Sequence, residues 1–332
     1  MYVLELGGED DAFAAREAES AATDVDVVAP GLARATTTTD RVRRLAYTHR
    51  ASELVGETDA DPASARALLD AAPIERQGTV AVRARDVRNT TGVDTQQVER
   101  DLGQVLVDRG FAVDLDDPDH ELRALFSREP PRDSEDDTCL LGWLAAESRR
   151  DFGERKPTDR PFFQPGSMDP LLARALANVA GARPGATILD PMCGTGGVLV
   201  EAALVGARAF GVDAQRKMAH GATENLAAYA PDADWATMRG DATHLPFEDD
   251  AVSGVVFDAP YGRQSKIANL DLDDLVAGAL AEARRVAPRA VVVGDRSWGD
   301  AARDAGWTVT DAFERRVHRS LTRYVVVLER DD

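Results

Sequence analysis

A chain of 332 residues, 44% of them hydrophobic, is long enough for two domains with their own cores and too apolar to stay disordered. No apolar run approaches the ~20 residues that span a bilayer, the start MYVLELGGEDD lacks the parts of a secretion signal, and two cysteines, Cys139 and Cys193, make neither a disulfide framework nor a four-ligand zinc site. The net charge of −19 argues on its face against a polyanionic partner, so a soluble, cytoplasmic protein of some other class is the first expectation.

The N-terminal part opens with a strand, YVLEL, a helix, DDAFAAREAES, and a strand, VDVVA. Residues 41–56 fit either strand or helix. A helix over 61–71 leads to a strand at 79–85, and helix 94–109 places Val98, Leu102, Val105 and Leu106 on one face. A strand at 112–116 ends this α+β set. Prolines 130, 131, 157, 161 and 165 then punctuate the chain, and between them CLLGWLAAESRRDF reads as a short apolar-faced helix. The expected division is an N-terminal region over 1–130, a connector over 131–164 and a C-terminal domain over 165–330.

The C-terminal part alternates strands at 186–190, 209–213, 235–239, 252–258 and 290–295 with helices at 197–206, 215–229, 271–286 and 299–305. Such alternation predicts a doubly wound α/β sheet. Two consecutive strands at the end, WTVTDAFERRV and TRYVVVLER, predict an antiparallel last strand. Ligands of such sheets bind beyond the carboxyl ends of the strands.

The unusual residues fall there. Asp190-Pro-Met-Cys-Gly194-Thr195-Gly196-Gly197 joins an apolar strand to a helix, and its glycines let backbone approach a ligand. A dinucleotide fingerprint needs a third glycine where Leu199 stands, and Asp190 would repel a diphosphate. An acid at that place suits the ammonium of S-adenosylmethionine. Asp213 and Asp241 end the next two strands, where a carboxylate can accept ribose hydroxyls or an adenine amine. Asp258-Ala259-Pro260-Tyr261 follows the strand VSGVVF. The Asp258 carboxylate and the Ala259 carbonyl can hold both hydrogens of a base's exocyclic amine, whose lone pair is otherwise delocalised, while Tyr261 stacks on the base. Pro260 stiffens the loop, so catalysis here is chiefly positioning. Cys193 has no histidine within local reach, and His49, His120, His220 and His244 lack metal-ligand spacing, so no metal is expected.

The charge balance has a second side. Only three of the 39 basic residues are lysine (Lys156, Lys217, Lys266), and aspartate outnumbers glutamate 39 to 19, as in proteins of halophilic cells. At about 1 M salt the screening length falls to ~3 Å, so close arginine contacts outweigh global charge. Arginine-rich islands lie at 32–50, at 76–88 (including Arg83, Arg85 and Arg88) and at 313–324 (including Arg319 and Arg323). Each alone would be a solvated face; three in so acidic a chain point to a phosphate-contacting surface.

The loop at 258–261 resembles the [D/N]-P-P-[Y/F] loop of amino-group methyltransferases, and D-P-x-C-G-T-G-G resembles the branch that modifies RNA. Arg160-Pro-Phe-Phe-Gln-Pro-Gly-Ser-Met-Asp-Pro-Leu-Leu-Ala-Arg174 and His318-Arg-Ser-Leu-Thr-Arg323 are similar to segments of the archaeal tRNA (guanine(10)-N2)-methyltransferases. The similarity is strong over 160–328 and weaker over 1–130. It implies a THUMP-type RNA-binding domain before a Rossmann-like methyltransferase domain. It also implies methyl transfer, once or twice, from S-adenosylmethionine to N2 of guanine 10 of tRNA. The resemblance assigns Asp190, Gly194, Thr195, Gly196, Asp213, Asp241 and Ala242 to the cofactor and Asp258, Ala259, Pro260 and Tyr261 to catalysis, in a monomer. Ala259 departs from the usual first proline, and Met192 from a common phenylalanine. An amino-methyltransferase of ribosomal RNA or DNA, a nicotinamide-dependent oxidoreductase and a non-catalytic RNA-binding protein are the alternatives.

Overall fold

Short strands and capped helices alternate from the first residues. The computed structural model describes residues 1–129, 137–260, 272–318 and 321–331, and the chain divides into two units, Met1–Arg149 and Arg150–Asp332.

In the first unit the elements are β1 (Tyr2–Leu6), α1 (Asp11–Ala18), β2 (Ala22–Thr23), β3 (Asp26–Ala29), β4 (Leu32–Ala35), β5 (Thr37–Thr38) and β6 (Thr48–Thr58). Then come α2 (Pro62–Ala71), β7 (Thr79–Asp86), α3 (Thr95–Asp108), β8 (Ala112–Val113), β9 (His120–Arg128) and β10 (Asp137–Glu147). Asp61 and Asp94 cap α2 and α3 by accepting first-turn N–H groups, and Pro62 opens α2 where no N–H is needed. The two helices bury Leu69, Leu102 and Leu106 with Val80, Leu122, Phe126 and Leu141. Eight strands form one sheet in the order β3-β4-β1-β6-β10-β9-β7-β8, with β2 and β5 paired apart.

The helix expected within 139–152 is instead the central strand β10, paired with β6 and β9. Residues 138–143 are all buried. Leu140 packs into one core and Cys139, Leu141 and Trp143 into the other, so both sheet faces are covered and polar alternation is lost. Gly142 fits that strand and no larger residue would: a Cβ there would stand 2.9 Å from the Ser52 Cβ and 3.0 Å from the Glu53 carbonyl oxygen. The span 131–164, expected as a connector, is therefore divided, its described part up to Arg149 in the first unit and the rest in the second.

In the second unit, α4 (Pro170–Val179), β11 (Thr187–Asp190), α5 (Gly197–Leu204), β12 (Arg208–Asp213), α6 (Arg216–Tyr229) and β13 (Trp235–Arg239) are followed by β14 (Gly254–Asp258), α7 (Leu272–Val286), β15 (Arg289–Gly294), α8 (Gly299–Asp304), β16 (Thr308–His318) and β17 (Leu321–Glu329). The sheet order is β13-β12-β11-β14-β15-β17-β16. The first five of these strands run parallel, and β17 runs antiparallel between β15 and β16. The doubly wound sheet with an antiparallel last strand is thus observed. Glu201 of α5 is fully buried and takes Arg155 Nε at 2.8 Å and Arg174 Nη2 at 2.7 Å, tying α4 and the 151–155 turn to α5. Among the described residues, no helix is long and apolar enough to cross a membrane.

Candidate active site

Asp190, Asp213 and Asp258 are the last residues of β11, β12 and β14, so the parallel sheet delivers three carboxylates to one edge. Asp190 is 4% exposed and accepts the Met192 N–H at 3.0 Å, which closes the turn after β11. Burial pushes its pKa well above the usual carboxylate range, and the charges of Asp213 and Asp258 push it further. Asp213 accepts the Gly194 N–H at 3.0 Å on one oxygen and the Gln215 N–H at 2.8 Å on the other, and burial again raises its pKa. A carboxylate has about four lone-pair sites, so two remain for hydroxyl donors.

The loop between β11 and α5 depends on glycine at two places. Gly196 has φ +74°, and a Cβ there would stand 2.9 Å from the Ala222 Cβ of α6. Gly194 has φ +52°, and a Cβ there would meet nothing nearer than 4.0 Å, because it would project into open space. That space is a cleft of about 230 Å³ lined by Gln164–Met168, Asp190, Met192–Thr195, Gly197, Val198, Met218 and Asp258–Pro260. A single cavity thus joins Asp258 to the glycine turn.

The wall formed by 164–168 was not among the site residues expected from sequence. Ser167 Oγ lies 3.2 Å from Thr195 Oγ1, and the buried Asn225 amide donates to the carbonyls of Thr195 (2.8 Å) and Phe162 (2.9 Å). Its Oδ1 accepts the Phe162 N–H at 2.9 Å. The Pro165-Gly166 turn just before the α4 cap was the available signal for this wall.

Other expected residues fall elsewhere. Asp241 is exposed and spends Oδ1 on the N–H and hydroxyl of Thr243, bonds that lower its pKa; it does not line the cleft. Ala242 is buried in the core against α7, not in the cleft. Ala259 is 1% exposed and its N–H donates to the Val293 carbonyl at 2.8 Å, which seats the loop on β15. Tyr261 and Arg319 lie outside the described residues. Burial raises the Cys193 thiol pKa well above its usual value, which makes it an inert packing residue.

Arg323 requires a correction. It was expected to meet RNA, yet it is 4% exposed, donates from Nη2 to the Gly166 carbonyl at 3.2 Å and lies 3.6 Å from Asp258 Oδ2. Full burial against acceptors of its own unit leaves no face for a phosphate. In the first unit, Arg83 donates to the Leu115 carbonyl at 2.6 Å, Arg85 pairs with buried Glu5 at 3.0 Å and Arg88 bonds Asp11 at 2.9 Å. Arg83 and Arg85 are half-buried and held through one Nη each, whereas Arg88 is exposed and held through both Nη atoms, on Asp11 and the Gly8 carbonyl.

A family model described as RMKL-like, methyltransferase domain matches residues 157–325. The tRNA (guanine(10)-N2)-dimethyltransferase of Methanothermobacter thermautotrophicus is 35% identical over 87% of this chain and 84% of its own. The chain belongs to this methyltransferase family. A second relative, the tRNA (guanine(10)-N2)-dimethyltransferase of Pyrococcus abyssi, is 32% identical over 76% of this chain and 74% of its own. The crystal structure of TrmN from Thermus thermophilus shares the fold over 99% of both chains, with a TM-score of 0.50 and 23% identity. Membership makes the chain a methyltransferase with S-adenosylmethionine as methyl donor, and the oxidoreductase alternative falls. The cleft fits that donor. An acid-lined edge suits a ligand carrying ammonium and sulfonium charges, and the empty position beside Gly194 is where a Cβ would intrude on it.

Proposed function

We propose that this chain methylates the exocyclic N2 of guanine in tRNA, at position 10, once or twice. The observation that carries this proposal is the cleft shared by Asp258 and the Gly194–Gly197 turn, in a chain whose relatives bear names specifying that reaction. There Asp190, Gly194 and Thr195, with Gly196 behind them, receive the amino-acid part of the cofactor, and Asp213, bonded to the Gly194 N–H beside the cleft, receives the ribose hydroxyls. The bound cofactor supplies an electrophilic methyl on a sulfonium.

The protein's own task is then to hold the amine. Asp258 Oδ atoms and the Ala259 carbonyl accept its two hydrogens, which draws electron density onto nitrogen and fixes its direction. Pro260 and Tyr261 confine the base, which must leave its stack to enter. Asp190 and Asp213 lie at the same edge, where burial raises their pKa values, so a cationic ligand favours their ionised forms and an anionic one opposes them.

The first unit serves as the THUMP-type RNA-binding module. Arg83 and Arg85, each already held through one Nη, and the exposed Arg88, held on Asp11 and the Gly8 carbonyl, present guanidinium groups to tRNA phosphates with little further loss of entropy. The arginine-dominated basic content suits a halophilic cytoplasm, and the protein acts as a monomer.

The test is transfer of labelled methyl to tRNA transcripts in concentrated KCl, with guanine 10 intact or replaced by adenine. Label on the intact transcript alone, lost with Asp258→Ala, is expected. Equal label on both transcripts overturns the position, and transfer by Asp258→Ala at the native rate overturns the site.

A further inference from the structure

We propose that Arg323 is a positioning residue, a latch that holds the catalytic carboxylate to the opposite wall of the cleft. The proposal rests on Asp258 being the amine-holding residue, as above.

The sheet topology puts Arg323 there. Every parallel strand reaches the ligand edge at its carboxyl end, but β17 runs antiparallel and so begins at that edge. Tyr324 pairs with Gly294, the last residue of β15. Asp258 is in register with Val293, and Val293 with Val325. Side chains in register share a face, and residues two apart on a strand share it as well. Arg323 therefore stands on the face of Asp258, one step beyond the edge, and its long side chain reaches back over the loop.

What it reaches are two groups that both line the cleft but come from separate segments. Nη2 is 3.2 Å from the Gly166 carbonyl oxygen, a hydrogen bond, and 3.6 Å from Asp258 Oδ2, an ion pair without hydrogen-bond geometry. Gly166 belongs to the wall before α4, and Asp258 to the loop after β14. A planar guanidinium with five donors in fixed directions is suited to bridging such acceptors, whereas an ammonium is a point charge. The charge matters too. Asp258 shares its edge with the carboxyl groups of Asp190 and Asp213, and Arg323 brings a cation to within 3.6 Å of it from β17. An ionised carboxylate is acceptor-only, which is the form needed to hold two amine hydrogens. At 5% exposure the Arg323 side chain does this in a site screened from salt, which a surface arginine in a saline cytoplasm could not.

The test compares wild type, Arg323→Ala and Arg323→Lys in three measurements: methyl transfer to tRNA, tRNA affinity without cofactor, and S-adenosylmethionine affinity by calorimetry. With misplacement of the acceptor by about 1 Å, kcat at saturating substrates should fall about 100-fold in Arg323→Ala. The tRNA Kd and its salt slope should stay as in wild type. Loss of one charged hydrogen bond at the Gly166 wall should weaken cofactor binding about tenfold. Arg323→Lys, which keeps the charge and loses the fork, should recover about tenfold of the kcat loss; it also decides the matter alone if the alanine variant does not fold, through a kcat about tenfold below wild type with native tRNA affinity. A weakened tRNA Kd with a salt slope lower by about one would make Arg323 a phosphate contact and overturn the latch. An unchanged kcat and cofactor affinity would overturn it as well. If wild type moves no methyl to tRNA, the substrate assignment fails, while the latch is still decided by the cofactor affinities.

Discussion

The Asn225 side-chain amide donates to the Thr195 carbonyl at 2.8 Å, so a fully buried residue of α6 holds the backbone of the glycine turn. The same amide group is paired in both directions with Phe162 at the start of the other wall. One side chain therefore fixes two segments that have no regular structure of their own. Asn225→Ala leaves three backbone groups without this partner, at about 1–3 kcal/mol for each that stays buried. A lower melting temperature and a cofactor Kd raised about tenfold are expected, by thermal unfolding and calorimetry. A variant with native cofactor affinity would show that the walls stand without the amide.

The two glycines of the turn should separate stability from binding. Both glycines hold a left-handed φ, so alanine costs stability at either; Gly196→Ala also drives its Cβ against Ala222 and should lower the melting temperature more. Gly194→Ala meets no neighbour, and beyond that shared strain it should weaken cofactor affinity, because the added methyl enters the cleft. Equal effects of both substitutions on both quantities would mean that the space beside Gly194 is not where the cofactor binds.

Acid should weaken cofactor binding. Burial raises the pKa of Asp190 and Asp213 above the ordinary value of 3.8, so the folded protein holds protons there that the unfolded chain has released. For the free protein this means stability that is highest at low pH and declines as pH rises from 3.8 through the raised values. A cationic ligand favours the ionised carboxylates, so its binding releases protons and tightens as pH rises over the same window. Calorimetry in two buffers of different ionisation enthalpy measures the release directly. No proton release, with a Kd flat across the acid range, would remove Asp190 and Asp213 from the cofactor's field.

Glu201 provides a stability test away from the reacting groups. It is fully buried between Arg155 and Arg174, and Glu201→Gln would leave two buried guanidinium groups facing a neutral amide. Breaking a buried charge cluster from one side costs about 3–5 kcal/mol, so a large drop in the denaturation midpoint is expected. A drop no larger than that of an exposed pair such as Arg303–Asp300 would mean that the cluster adds nothing to the seating of α5.

Much of the second unit was legible because its elements are locally specified. Five strands are short apolar runs, the helices between them carry a 3.6-residue period, and the ligand edge was marked by Asp190, the glycine turn and Asp258 in the one-dimensional pattern. Strand β10 was not legible, because a strand buried on both faces has no alternation to distinguish it from a buried helix. Asp241 was a weaker signal for a different reason. An aspartate after a strand serves equally well to close its own turn, which is what the Thr243 bonds show.

By itself, the sequence determined which chemistry the chain could carry: residue types fix charge, hydrogen-bond capacity and backbone freedom, and these act locally. Only the tertiary structure decided which groups meet. Arg323 sits 65 positions after Asp258 in the chain, and nothing near it in sequence distinguishes a surface arginine from a buried one. Its partner was chosen by the antiparallel direction of β17, which depends on how the whole sheet is paired.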